Sequence, residues 1–129
     1  MFSAEIVIDC SEAVKCGKFS NKFPPSLNSR LHWAQRSKLN KLWRARAYCA
    51  IGKDKPRYPL DKVRCIITKY STRACDWDNM VTQFKPVIDG LVDAGVVIDD
   101  SVEHFSAEYK FEKCKKSFEK IHIFIMEAE

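Results

Sequence analysis

Four aspartates and one lysine in the second half of the chain are of the types that phosphate chemistry uses. Asp76 and Asp78 stand two apart in Cys75-Asp76-Trp77-Asp78-Asn79. Asp99 and Asp100 are adjacent in Gly95-Val96-Val97-Ile98-Asp99-Asp100-Ser101, and Lys85 and Asp89 lie between the two groups. Carboxylates that converge repel one another unless a cation sits among them. Mg²⁺ takes oxygen ligands, commonly one or two carboxylates plus waters and substrate phosphate. A nearby lysine neutralises charge that builds on a phosphate under attack. The set therefore suits metal-assisted phosphodiester hydrolysis, with Asp76, Asp78, Asp99 and Asp100 as ligands and Lys85 as the electrostatic partner. His32, His104 and His122 have no evident serine or cysteine partner that would suggest nucleophilic catalysis instead. Each feature alone has a plainer reading: an aspartate as helix cap, Asp99-Asp100-Ser101 as a turn, Asp78, Lys85 and Asp89 as a solvated ion-pair ladder. Their combination favours chemistry.

The elements that must position these residues follow from patterning. Glu5 to Asp9 reads as a first strand, residues 11–23 as an extended polar loop, and Pro24-Pro25 as a segment that cannot be helical. A helix is expected from Ser37, as N-cap, to Ile51, with Leu39, Leu42, Trp43, Ala47 and Ala50 on one side and Lys41, Arg44 and Tyr48 on the other. Val63 to Tyr70 reads as a strand. A second helix is expected from Asp78 to Ala94, closed by Gly95. Asp76 then ends the strand segment, Asp78 caps the helix, and Asp78, Thr82, Lys85 and Asp89 share a face beside the stripe Val81, Phe84, Ile88, Leu91. Pro86 predicts a kink. Val96 to Ile98 delivers Asp99 and Asp100, residues 102–111 alternate as a half-buried strand, residues 113–119 form a charged turn, and Ile121, Ile123 and Ile125 mark a last strand. The order β-α-β-α-β-β predicts an α/β fold: a single mixed sheet with two main helices packed against it.

The run Asp76-Trp77-Asp78-Asn79, then Lys85, Asp89-Gly90-Leu91, Gly95-Val96 and Asp99-Asp100-Ser101, resembles the signature of RusA-type crossover junction endodeoxyribonucleases. Pro24-Pro25-Ser26-Leu27-Asn28 is similar to a proline-proline-serine-x-asparagine element near that family's N-terminus. The resemblance implies a small α/β homodimer that resolves Holliday (four-way) junctions with Mg²⁺, Mn²⁺ being a possible substitute. Its essential acids would correspond to Asp76, Asp78 and Asp100, with Asp99 and Asp89 supporting and Lys85 as the active-site lysine. Two departures stand out. About one extra helical turn separates Asn79 from Lys85, so Lys85 matches by its distance to Asp89 and not to Asp78. Residues 11–23 look inserted.

The chain has 129 residues, a formal charge of +5 and 30% charged residues, which reads as one soluble domain over residues 1–129 with a mild preference for an anionic partner. No run approaches the ~20 apolar residues of a membrane span. Six scattered cysteines without a C-x-x-C pair point to a reducing cytoplasm and weigh against zinc. DNA contacts are expected from Asn28, Arg30, Arg36, Lys38, Lys41 and Arg44 around the first helix. Lys110, Lys113, Lys115, Lys116 and Lys120 form a second basic group that serves solubility or binding equally well. Trp33 and Phe23 could stack on DNA or pack in the core. A nuclease preferring flaps or other branched DNA, or a branched-DNA-binding module without activity, remain alternatives.

Overall fold

A run of β-branched and apolar residues from Val63 to Ser71 forms the strand around which the fold is built. The computed structural model describes residues 1–17, 19–26 and 30–129. Its elements are β1 (Ser3–Asp9), β2 (Val14–Cys16), β3 (Phe19–Asn21), α1 (Trp33–Ile51), β4 (Val63–Ser71), α2 (Trp77–Gln83), α3 (Lys85–Asp93), β5 (Phe105–Lys113) and β6 (Lys120–Glu127). Four strands form a mixed sheet in the order β1-β6-β4-β5. β4 runs parallel to β5 and antiparallel to β6, which in turn is antiparallel to β1. The parallel pair needs a crossover, and α2 and α3 supply it.

Side-chain alternation sends one face of the sheet inward. Ile67 stands opposite Ile123 on β6 and Tyr109 on β5, and Cys65 opposite Ile125 and Ala107. With Ile6 and Ile8 these residues meet Trp43, Ala47 and Ile51 of α1 and Val87, Ile88 and Leu91 of α3 in one hydrophobic cluster. The other face is left partly open: Val7 is 53% exposed, and Ile66 and Phe124 are half-buried. α1 and α3 approach closely at Gly90, where a Cβ would collide with the Arg44 carbonyl oxygen and the Ala47 methyl. This glycine therefore sets the distance between the two helices.

The α/β class and a mixed sheet with helices packed on it agree with the sequence expectation, but β2 and β3 form a second, separate sheet. Several details also differ. Residues 11–23 are not simply a loop, because Val14–Cys16 and Phe19–Asn21 pair as a hairpin around Gly17, whose φ is +60°. α1 begins four residues before Ser37, since the His32 ring accepts a hydrogen bond from the Ala34 amide and serves as the cap. Leu42, assigned to its apolar side, is 40% exposed. The expected helix from Asp78 to Ala94 is two helices, divided at Phe84 (φ −94°, ψ 2°), with Pro86 in the first turn of the second. The kink is thus a full break, because proline lacks the amide that would continue the ladder and fits a helix start best. The strand read at residues 102–111 begins at Phe105, after a turn in which the Ser101 carbonyl accepts from the amides of His104 and Phe105.

Candidate active site

β4 ends at Ser71, and a short loop carries the chain to Asp76. Asp76 is the N-cap of α2 with extended backbone (φ −66°, ψ 149°), and its carbonyl accepts from the Met80 amide. Asp78 lies one turn-position inside, so Asp76 and not Asp78 is the cap. Both are exposed at the N-terminal end of α2. The Asp78 carbonyl also accepts from the Thr82 hydroxyl, 3.3 Å away.

The break at Phe84 changes the neighbours of Lys85. Asp78 no longer shares a continuous helical face with Lys85 and Asp89. Instead, Lys85 heads α3, its ammonium donates to Asp89 at 2.6 Å, and it also bonds to Asp100. Asp100 arrives on the loop after Val96-Val97, which is tied to Leu60 by a parallel bridge at Val97. Asp99 accepts from the Asp100 amide at 2.8 Å and so fixes the turn. The hydrogen bond from Lys85 holds the Asp100 carboxyl below its ordinary range despite partial burial. Partial desolvation pulls the Lys85 ammonium down, but the hydrogen bonds to Asp100 and Asp89 outweigh it and raise its pKa.

Beside this cluster a groove of about 540 Å³ runs between α1 and α3. Arg36, Asn40 and Arg44 line it from α1, Lys85 and Asp89 from α3, and Pro25 closes one end. Two of the expected DNA-contacting arginines therefore stand with the candidate catalytic lysine. Arg44 is held by a bidentate pair with Asp93 at 2.8 and 2.9 Å, which lowers the Asp93 pKa and raises its own. Arg36 donates to the Ser26 carbonyl at 3.4 Å, linking α1 to the Pro-Pro segment. Lys38 and Lys41 are exposed on α1, and Arg30 is exposed just before it. Asn28 lies outside the described residues.

Carboxylate-only donors suit Mg²⁺ or Mn²⁺ better than a softer metal. Among the described residues, no group of three or more histidine, cysteine, aspartate or glutamate side chains gathers closely enough to hold a metal. The expected four-aspartate cage is therefore not assembled: Asp76 and Asp78 form one pair at α2, and Asp99 and Asp100 another beside Lys85. A Mg²⁺ ion that keeps several waters needs only one or two protein carboxylates.

Trp77 was not singled out from the sequence. It is 60% exposed between the two aspartates, and its ring meets Tyr109 edge-on at 6.2 Å. An exposed tryptophan inside an acidic motif was the available signal. Trp33 is likewise exposed, at 76%, whereas Phe23 is core. All six cysteines are free, and burial pushes the thiols of Cys10 and Cys65 up to about 12. No described helix is long and apolar enough to cross a membrane.

The fold and site thus define an α/β chain with a lysine–carboxylate cluster beside a basic groove. Compared with known proteins, the chain matches no family model and no curated protein.

Proposed function

We propose that this chain is a divalent-metal-dependent, structure-specific DNA endonuclease of the RusA type, which as a homodimer cuts four-way junctions by phosphodiester hydrolysis. The observation that carries the reading is the meeting of Lys85 with Asp89 and Asp100, where Lys85 and Asp89 line a groove shared with Arg36 and Arg44. Lysine, carboxylates and paired arginines around one open concavity are the groups that hold a phosphate and stabilise its developing charge.

Of the four aspartates, the exposed Asp76 and Asp78 would hold Mg²⁺, which when bound would supply Lewis acidity to the scissile phosphate. Lys85 keeps Asp100 ionised and aims its own charge at the groove. Asp89 fixes the lysine from one turn further along α3. Arg36 and Arg44 hold the strand by its phosphates, which position DNA without reading sequence. Exposed Trp77 offers a stacking surface next to the acids. A two-fold dimer would present two such sites to the two symmetry-related strands of a junction.

One observation favours a second reading, a branched-DNA-binding module without activity: the four aspartates stand as separate pairs, and Lys85 already neutralises Asp100. Preference for flaps over four-way junctions is a further alternative within the enzyme reading. Purified protein incubated with a synthetic four-way junction, a flap and a linear duplex, with Mg²⁺ and then with EDTA, decides among them. The expected result is paired symmetric nicks in the junction that need Mg²⁺ and fall at least a hundredfold in Asp78→Asn. Tight junction binding without cutting under Mg²⁺ or Mn²⁺ would establish the binding module instead.

A further inference from the structure

The core face of β4 reads Val63, Cys65, Ile67, Lys69, Ser71. Three apolar residues are followed by a lysine in a position where the strand pattern calls for another. Lys69 is only 6% exposed. Its ammonium bonds to the Gln83 side-chain oxygen at 3.0 Å, contacts the Cys75 sulfur at 3.5 Å and lies 4.6 Å from the centre of the Phe23 ring. Among the described residues no carboxylate pairs with it. A buried charge without a counter-ion is costly, and a protein that keeps one usually brings an opposite charge to it.

Lys69 faces a cavity of about 470 Å³ at the end of the sheet, within the range of small-molecule sites. Among the described residues, its charged lining is Lys22, Lys69, Arg73 and Lys116 against Glu119. Glu119 is 5% exposed and is already satisfied by Lys22 at 2.7 Å and by the Ser71 hydroxyl at 3.2 Å. Among the described residues, the remaining three cations line the space with no carboxylate paired to them. The wall is shared with the candidate active site. The Gln83 amide that bonds Lys69 also donates to the Pro24 carbonyl at 2.7 Å, and Phe23 lines the cavity while Pro25 lines the groove. The loop Thr72–Cys75 leads directly from this cavity to Asp76.

We propose that this cavity is a nucleotide-phosphate subsite, in which Lys69, Arg73 and Lys116 bind the phosphate of a nucleotide neighbouring the one held at Asp76 and Asp78. That the nucleotide belongs to a cut DNA strand rests on the nuclease reading; the phosphate site itself rests on the cavity. Polar groups of Asn21 and Thr72 on the same wall suit the sugar.

The full chain, ¹⁵N-labelled and free of metal, is titrated with thymidine 5′-monophosphate, thymidine and inorganic phosphate, and the amides of residues 71–75 are followed by NMR. The nucleotide is expected to shift them saturably, while thymidine does not and inorganic phosphate binds more weakly. Lys69→Met, which removes a buried unpaired charge at little change in volume, and Arg73→Gln, on the exposed rim, each weaken nucleotide binding at least tenfold. Equal shifts with thymidine, or an unchanged affinity in both variants, would overturn the proposal. Inorganic phosphate binding as tightly as the nucleotide would overturn its nucleotide part. A wild-type chain that binds the nucleotide here but cuts no DNA ends the nuclease reading and leaves the subsite standing. One that cuts junctions with no response in these amides ends the subsite alone.

Discussion

Two clusters of charge lie on either side of the Phe23–Pro25 segment, and the protein treats them differently. At the α2–α3 break, Lys85, Asp89 and Asp100 meet near the surface, where the lysine side chain is 54% exposed. At the end of the sheet, Lys69 and Glu119 are almost completely buried. Exposed pairs contribute at most about 1 kcal/mol and exchange partners at little cost. Buried charges are held in place, and removing one partner leaves the other stranded. The first cluster is arranged for contact with something outside the chain, whereas in the second Glu119 and its partners belong to the scaffold and Lys69, with Arg73 and Lys116 at the rim, is the part open to an outside group.

The sharpest break of this contrast is Lys85→Met. Cleavage of a four-way junction is expected to fall on the order of a hundredfold, as when a charge-stabilising donor is lost, while the melting temperature moves by no more than a degree or two. A large loss of stability would show the cluster to be structural. Next in size is Glu119→Ala, which leaves Lys22 and Ser71 without their shared acceptor. It is expected to cost about 3 kcal/mol in chemical denaturation; an effect below about 1 kcal/mol would place this pair with the exposed ones. The smallest effect is the pH dependence of the exposed pair. The Asp100 pKa is lowered by its hydrogen bond from Lys85, so its contribution is present above the ordinary carboxylate range near pH 4 and is lost as pH falls through the lowered value. The Lys85 pKa is raised, so its share is present below about pH 10 and is lost at higher pH. Stability of the wild type minus that of Asp100→Asn should therefore be about 1 kcal/mol or less at pH 7 and vanish at the acid end. A difference that persists there would mean that Asp100 acts through packing and not through charge.

Local pattern carried much of this architecture. Alternation over residues 105–111 and at Ile121, Ile123 and Ile125 set which residues face inward, because the strand period of two allows no other arrangement once one face is buried. Pro86 signalled an interruption, although only the structure shows that it divides two helices. The hairpin in residues 11–23 was not legible, since strands of three residues carry too little periodicity. The Lys69 cavity is not legible either: alternation puts Lys69 on the face of Val63, Cys65 and Ile67, but a lysine at the end of a strand reads as the point where burial stops until the fold shows it covered by Phe23 and Gln83.

The sequence by itself determined the acidic motif, the order of the main strands and helices, and the amphipathic stripes that drive them together, because residue type and spacing act over a few positions. Only the tertiary structure decided that Lys85 reaches Asp100 and not Asp78, that Arg36 and Arg44 share its groove, and that Lys69 is buried against Gln83 with no carboxylate paired to it among the described residues. These are contacts between residues from 14 to 49 positions apart, and chain closure over such distances is set by packing of the whole core, not by local preference.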